Sequence, residues 1–417
     1  MARQLNVELY GTIVGAAVQD DFGRLSFTYS DDYATDASRP PLSLSMPTSR
    51  ARFRGKNITP FMWGLLPDSS DVRARWANDF GVSAENPFAL LSYVGQDCAG
   101  AASFVPLGAD ARTKLVQVLS DDDIGERLRK LRSETSEWAV LGERWSLAGA
   151  QSKFTLTRLA DGKWAKVRGD NPSTHIIKPG IAEYRDQALV EHVSMKVAHA
   201  VGLRAAKTEF REFGGEPALV VTRFDRRRAR DGSIVRVHQE DMCQALAVYP
   251  RKKYEASGGP TPSNIARLLR DNSTDGEADV WEFAQALVFN YLIGAPDAHA
   301  KNYSIMHAPG LTRITPLYDV ASALPYDAVG DSEITQGAMA IGGRRVFGTV
   351  HGRHWDRLAK GLGVNSDRLR GEIRRQAEAV PMAFDAALVR VDTVELHNRL
   401  VPRLEHLCAA TVTQLRD

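Results

Sequence analysis

Two hydrophobic periods divide this chain. Strand-type alternation appears near the start and again before residue 180, whereas helical spacing dominates from about residue 262 onward. Leu5-Asn6-Val7-Glu8-Leu9-Tyr10 and Leu25-Ser26-Phe27-Thr28-Tyr29 alternate apolar and polar side chains, with Asp20-Asp21-Phe22-Gly23 between them as turn material. The Asp-, Ser- and Pro-rich stretch 31–45 reads as loop. The stretch 60–95 reads as helical, with Asn86 capping Pro87-Phe88-Ala89-Leu90-Leu91. Asp121-Asp122-Asp123 before Ile124 marks a helix start, because carboxylates there complement the helix dipole. Lys153-Phe154-Thr155-Leu156-Thr157 and Trp164-Ala165-Lys166-Val167 flank Asp161-Gly162, a hairpin signal. His175-Ile176-Ile177-Lys178 is a third strand, stopped by Pro179-Gly180. A helix over 182–201 carries Ala188, Leu189, Val193, Val197 and Val201 at helical spacing, and Ala218-Leu219-Val220-Val221 has the form of a buried strand. Later segments are helical, with a strand–turn–strand interruption near 303–320. Strands first and helices later predict an α+β chain, not a doubly wound sheet.

Length and composition narrow the class. The 417 residues, 43% hydrophobic and 25% charged, suit two or three compact units with their own cores and exclude disorder or a fibre. Fifty-three Lys+Arg against 51 Asp+Glu leave a net charge of +2, which excludes a surface coated in nucleic acid but allows a local basic patch. Cys98, Cys243 and Cys408 are too few and too scattered for a disulfide framework or a CxxC zinc site, which favours a reducing compartment. No apolar run approaches the ~18 residues of a membrane helix. Met1-Ala2-Arg3-Gln4-Leu5 lacks the apolar core of a signal peptide. The expectation is a soluble, cytoplasmic protein with no membrane partner.

Chemistry concentrates in Asn290-Tyr291-Leu292-Ile293-Gly294-Ala295-Pro296-Asp297-Ala298-His299-Ala300-Lys301-Asn302. A helix through Phe283, Ala286, Leu287, Phe289 and Leu292 ends at Gly294, and Pro296 cannot continue it, so Asp297 falls in a loop. Asp297 and Asn302 stand five apart, the spacing of the protein-kinase catalytic loop, where the Asp takes the substrate hydroxyl proton and the Asn holds magnesium. Asp319 follows 17 residues after Asn302, beyond a hairpin through Pro309-Gly310 that would return it beside Asn302. It is the candidate second magnesium ligand. The plainer alternative has Asp297 and Asp319 capping local turns and Asn302 satisfying a loop carbonyl, and spacing leaves both open. Lys178 ends an apolar strand, where an ammonium needs an anionic partner; a phosphate suits it, with Glu191 on the next helix to hold it, as does a plain strand-end lysine. In Trp145-Ser146-Leu147-Ala148-Gly149-Ala150-Gln151-Ser152-Lys153, the small residues would let backbone N–H groups approach phosphates. The loop matches neither GxGxxG nor GxxxxGK[ST], so a simple flexible loop stays open.

Together these segments resemble the HipA family, bacterial serine/threonine kinases that are the toxins of HipB–HipA toxin–antitoxin pairs. The resemblance runs through Leu65-Leu66-Pro67, Gly95-Gln96-Asp97-Cys98-Ala99-Gly100, Ser146-Leu147-Ala148-Gly149-Ala150-Gln151, Arg223-Phe224-Asp225-Arg226 and Gln239-Glu240-Asp241-Met242-Cys243-Gln244. It continues through Lys253-Tyr254-Glu255, Gly258-Gly259-Pro260, Leu292-Ile293-Gly294 and the Asp297–Asn302 loop. The resemblance implies that Asp297 is the catalytic base and that Asn302 and Asp319 hold Mg²⁺. It places ATP phosphates on Lys178 and on Ala148, Gly149, Ala150, Gln151, Ser152 and Lys153, and adenine on the hinge Thr222-Arg223-Phe224. Thr222 stands where the family usually has Glu; a backbone contact would survive that change. His299, Lys301 and Tyr318 fall at nucleotide-site positions. Ser146 matches the serine these kinases autophosphorylate, and a phosphate there adds about −1.5 to −2 charge at the loop that takes ATP.

The implied fold is a bilobal protein-kinase-like α+β fold with an N-terminal β-rich subdomain (1–140), an ATP-binding lobe (141–260) and an all-helical C-terminal lobe (261–417). The implied partners are a HipB-like antitoxin dimer, operator DNA through that complex, and a protein substrate, in the family an aminoacyl-tRNA synthetase such as the glutamyl enzyme. One alternative is a chain that acts mainly as a corepressor, with Arg344, Arg345 and Arg353 as candidate DNA phosphate contacts; solvated arginines are the plainer account of them. Another is a small-molecule kinase. The run Arg226-Arg227-Arg228 reads as a solvated hairpin turn.

Overall fold

The computed structural model describes residues 3–36, 38–108, 115–133, 145–168, 172–327, 333–389 and 393–416. The chain forms two compact units. The strand-rich unit comprises Met1–Ala182, Phe210–Arg251 and Ser304–Thr312; the helical unit comprises Glu183–Glu209, Lys252–Tyr303 and Arg313–Asp417. Segments 1–140 and 141–260 thus contribute mostly to one unit, and a boundary at 140 lies outside the described residues.

The strand-rich unit begins with an antiparallel sheet of β1 (Arg3–Leu9), β2 (Thr12–Gln19), β3 (Leu25–Tyr29), β4 (Arg52–Arg54) and β5 (Ser103–Pro106), in the order β4-β3-β2-β1-β5. Its inner face places Leu5, Val7, Val14, Phe27 and Phe53 in one buried cluster with Ile58, Phe61, Trp76, Leu90 and Leu91 from the helices Gly55–Gly64, Ser70–Phe80 and Pro87–Val94. Each such side chain removed from water contributes about 1.5–3 kcal/mol. Asn86 caps the last of these helices as expected, its Oδ1 accepting from Ala89 N at 3.1 Å. β2 has no counterpart in the sequence-based reading, because Gly15-Ala16-Ala17 blurs its alternation. It is entered through Tyr10-Gly11, both at positive φ (55° and 76°), the handedness of a type I′ hairpin turn. Part of the expected loop 31–45 is a single helical turn, Asp31–Ala34.

A second sheet contains β6 (Leu115–Leu119), β7 (Phe154–Arg158), β8 (Trp164–Arg168), β9 (His175–Lys178), β10 (Thr208–Phe213) and β11 (Glu216–Thr222), in the order β10-β11-β9-β7-β8-β6. The Asp161-Gly162 signal is the β7–β8 turn, with Gly162 at φ 85°. The three aspartates occupy the first turn of the helix Asp121–Ser133. β12 (Arg226–Arg228) and β13 (Ile234–Arg236) form a hairpin, and β14 (His238–Asp241), β15 (Ser304–Ala308) and β16 (Leu311–Ile314) form a third sheet.

The helical unit is built around the helix Gly276–Leu292. Phe283, Ala284, Ala286, Leu287, Val288, Phe289, Tyr291 and Leu292 are all buried, so this helix is covered on every side, as a core helix must be. The helices Pro262–Asn272, Ser366–Ala387 and Val394–Gln414 pack on it. The unit is not wholly helical: β17 (Gln336–Ile341) and β18 (Arg344–Val346) pair across Gly342-Gly343, and Arg344 and Arg345 lie on β18. The short Gly-Ala-Met-Ala run of β17 carries little strand signal, and the pairing depends on two glycines at positive φ.

Below the surface of the strand-rich unit lies an ion cluster. Arg223 donates to Asp225 Oδ1 at 3.0 Å through Nε, to Asp225 Oδ2 at 2.9 Å and Cys98 O at 2.8 Å through Nη2, and to Ser173 Oγ at 2.9 Å through Nη1. Arg226 donates to Asp97 Oδ1 at 2.8 Å and to the carbonyls of Cys98 and Gly100 at 2.9 and 2.8 Å. Gly100 N and Ser173 Oγ donate to Asp225 and Asp97 respectively. Arg227 and Arg228 are exposed, as expected of a solvated run, but the Arg226 side chain is 2% exposed; the solvated reading fails there because the cluster claims its guanidinium. Burial alone would raise both carboxyl pKa values. Arg223 and Arg226 more than offset it, with Arg236 adding to the effect at Asp97. Asp225 is held at about 2 and Asp97 lower still. Burial also pushes the neighbouring Cys98 thiol up to about 12.

Removing one member of a buried pair strands its partner, so Asp225→Asn should cost about 3–5 kcal/mol in urea unfolding at pH 7. Both folded carboxyl pKa values lie below the ordinary ~3.9. Their stabilising contribution is therefore full above about pH 4 and lost as pH falls through about 2, later for Asp97 than for Asp225, and the acid-side loss should be shallower in Asp225→Asn. A cost below about 1 kcal/mol at pH 7 would show that the cluster is not stabilising.

Candidate functional site

The helical unit carries the catalytic-loop candidates. After the helix Gly276–Leu292, Gly294 at φ 60° turns the chain, Ala295 N closes onto Asn290 O at 2.8 Å, and Pro296 leads to Asp297. The Asp297 side chain is 60% exposed. Tyr254 OH donates to its Oδ1 at 2.8 Å, and His299 Nε2 stands 3.6 Å from the same oxygen. His299 N donates to Asp297 O at 2.9 Å, and Asn302 N to His299 O at 2.9 Å. Asn302 Nδ2 donates to Asp297 O at 2.5 Å, which turns its Oδ1 the other way as the acceptor end. Asp297, His299, Lys301 and Asn302 are therefore one hydrogen-bonded turn.

The residue before Asp319 is tied to this turn: the Tyr318 hydroxyl donates to Lys301 O at 2.7 Å. Two further supports fix the segment. Leu317 exchanges backbone bonds with Arg204 and Ala206 at 2.8 and 2.7 Å, and the fully buried Asp279 carboxylate accepts from Arg313 Nε at 2.6 Å and Ile314 N at 2.8 Å. Asn302 and the residues 315–317 line one small cavity. Asp319 itself sits at φ 59°, a left-handed conformation that costs energy in a non-glycine residue and concentrates at functional sites. Magnesium prefers oxygen ligands, binding one or two protein groups and completing its shell with phosphate oxygens and water. The amide oxygen of Asn302 and the carboxylate of Asp319 fit that requirement.

The strand-rich unit carries the phosphate-loop candidates. Ser146 is fully buried: its Oγ donates to Leu65 O at 2.7 Å and its N to Asp97 O at 3.0 Å. Gly149 pairs with Pro67 in an isolated bridge, its carbonyl accepting from Asp68 N at 2.9 Å. Gly149 lies at φ 107°, and a Cβ there would stand 2.5 Å from Lys153 Nζ, which donates to Ala148 O at 2.8 Å. Ala148, Gly149, Ala150, Gln151, Ser152 and Lys153 thus form a tight turn closed by the lysine. Lys178 ends β9 opposite Leu219 and is 4% exposed. Thr222 pairs with His175, and Arg223 N donates to Thr174 O at 3.0 Å, so the arginine's backbone N–H and its guanidinium are both engaged within this unit; Phe224 is half-buried. Glu191 belongs to the helical unit and is 2% exposed, with Gln187 Nε2 donating to its Oε2 at 3.4 Å.

Arg344 is exposed and Arg345 half-buried on β18, and Arg353 is exposed on the helix Gly352–Leu362. Burial, then the charges of Arg353 and Arg344, lower the pKa of His354, so those two arginines share one local basic environment. Two features had no assigned role in the sequence: the Leu65 and Asp97 carbonyls that hold Ser146, and Tyr254 on Asp297. Their segments were visible as motifs, but carbonyl direction and hydroxyl reach are three-dimensional.

Three comparisons bear on identity. The model of the HipA N-terminal domain matches residues 5–105, and that of the HipA-like C-terminal domain matches residues 145–384. The Sinorhizobium fredii protein Y4mE is 37% identical over 95% of this chain and 94% of its own length. The Shewanella oneidensis serine/threonine-protein kinase toxin HipA is 30% identical over 89% of this chain and 88% of its own. The solved structure of Shewanella oneidensis HipA with HipB and operator DNA superposes with a TM-score of 0.86 at 26% identity, covering 99% of this chain and 98% of that one.

One consequence concerns the loop. Gly149→Ala would force a side chain into a left-handed backbone and against the Lys153 ammonium. It should lower stability by about 1–2 kcal/mol in urea unfolding at unchanged m-value, and an equally stable variant would refute the turn as drawn.

Proposed function

This chain belongs to the HipA family of kinases, and on that footing we propose that it transfers the γ-phosphoryl group of ATP to a serine or threonine hydroxyl of a protein. The observation that carries the proposal is the turn joining Asp297 and Asn302, with Tyr318 tying Asp319 to it. Asp297 orients the acceptor hydroxyl and receives its proton as the new oxygen–phosphorus bond forms and ADP departs. Asn302 and Asp319 would hold Mg²⁺, which offsets charge on the phosphates when bound. Lys178 and the turn 148–153 would cradle the phosphates, with Glu191 orienting Lys178, while Thr222-Arg223-Phe224, His299, Lys301 and Tyr318 would surround the nucleotide. Since the Arg223 N–H and guanidinium are engaged, the adenine contact in the hinge falls to backbone groups of its neighbours.

Ser146 is the proposed site of self-phosphorylation. Its hydroxyl is buried on Leu65 O, so the loop must leave that position before phosphoryl transfer, and the added charge would oppose its return. The Shewanella oneidensis complex favours a HipB-like antitoxin dimer as partner and operator DNA through it, with Arg344, Arg345 and Arg353 as local phosphate contacts. The proposed protein substrate is an aminoacyl-tRNA synthetase and the proposed site of action the cytoplasm, where such a kinase would arrest growth.

Asp297→Gln should abolish phosphate incorporation at Ser146, read by phosphopeptide mass spectrometry, while calorimetric ATP affinity stays within about threefold, because binding and proton transfer use different groups. Undiminished phosphorylation would sink the assignment. Incubating lysate with ATP and the wild-type protein beside this variant would identify the substrate.

A further inference from the structure

The segment Lys253-Tyr254-Glu255 with Gly258-Gly259 has no part in the mechanism above, yet the chain is built around it. Gly259 N donates to Tyr254 O at 3.0 Å, and a Cβ on Gly259 would lie 2.0 Å from Lys252 O and 2.7 Å from Tyr254 O, so only glycine lets the turn close. Glu255 Oε2 accepts from Ala340 N at 2.6 Å, pinning the turn to β17. Lys253 O accepts from Ala300 N at 3.3 Å, pinning it to the catalytic loop. Between these two anchors Tyr254 extends over the loop. Its ring meets the His299 ring edge-to-face at 5.0 Å, and its hydroxyl reaches Asp297 Oδ1 at 2.8 Å.

An aspartate whose side chain is 60% exposed samples several rotamers and loses entropy when it must hold one. Proton transfer depends steeply on that geometry. We propose that Tyr254 is the positioning residue of the catalytic aspartate: its hydroxyl anchors Oδ1 and so fixes the orientation of the carboxylate that receives the proton of the incoming serine or threonine hydroxyl. His299 Nε2 approaches the same Oδ1 at 3.6 Å. The step balances: the acceptor proton moves to the Asp297 carboxylate, the hydroxyl oxygen bonds to phosphorus, and the phosphorus–oxygen bond to ADP breaks with its electron pair. Tyr254 gives up no proton and touches no substrate.

The inference rests on the proposed kinase activity, and its test separates the two. Full-length wild type, Tyr254→Phe and Asp297→Gln are compared in steady-state phosphorylation, with ATP KM, kcat and melting temperature measured for each. Phenylalanine keeps the ring against His299 and removes only the hydroxyl. Tyr254→Phe should lower kcat by about tenfold or more, with ATP KM within twofold of wild type and an unchanged melting temperature. An unchanged kcat would overturn the proposal, and so would a kcat loss accompanied by an equal rise in KM or a lower melting temperature, which would make the hydroxyl merely structural. Failure of the kinase reading itself appears elsewhere, as no phosphate transfer by the wild-type protein, whereas full activity in Asp297→Gln would remove only the assignment of Asp297 as base.

Discussion

A carboxylate taken out of water costs several kcal/mol unless cations and donors replace its hydration. Asp97 and Asp225 meet that condition through Arg223, Arg226 and Arg236, supplemented by Gly100 N and Ser173. Arg223 and Arg226 donate in turn to the Cys98 and Gly100 carbonyls. Each charge is therefore tolerable only while the others are in place. This mutual dependence joins the segment around Asp97 to the strand-following turn at Arg223, two stretches far apart in sequence. Much of what makes the Gly-Gln-Asp-Cys-Ala-Gly and Arg-Phe-Asp-Arg segments distinctive is this network rather than chemistry on a substrate.

The cluster also reaches the phosphate-loop candidate. Asp97 holds arginines with its side chain and Ser146 with its carbonyl, and Leu65 O takes the Ser146 hydroxyl. The candidate phosphate loop is thus held at its first residues by the N-terminal segment of the same unit, with Gly149 and Lys153 closing the turn. In the helical unit the division of labour is similar. A helix buried on all sides ends at a glycine, and a sharp turn projects Asp297 from that rigid base. Asp279, Tyr318 and Tyr254 then fix the neighbouring segments and the aspartate itself by hydrogen bonds. A site on rigid supports holds its groups to the tolerance that phosphoryl transfer demands.

Local chemistry made several elements legible. Asp161-Gly162 reads as a hairpin because its glycine accepts positive φ, Asn86 reads as a cap because its side chain matches an orphan N–H, and Gly294-Ala295-Pro296 must end a helix. β2 and the β17–β18 hairpin escaped notice because runs such as Gly-Ala-Ala and Gly-Ala-Met-Ala carry little alternation; neighbouring strands and paired glycines create them. Arg226 was misjudged for a related reason. A run of arginines looks solvated until the adjacent Asp225 and the distant Asp97 remove one member from water.

By itself the sequence determined the α+β class, most element types and the order Asp297, Asn302, Asp319, since these follow from periodicity, backbone stereochemistry and residue identity within short windows. The tertiary structure alone decided which charges are buried together, that the Ser146 hydroxyl is taken by the Leu65 carbonyl, and that Tyr254 reaches Asp297. Tyr254 and Asp297 stand 43 residues apart in sequence, and Asp97 and Arg226 stand 129 apart. No local window contains them, because they depend on how separately formed elements pack once water is excluded.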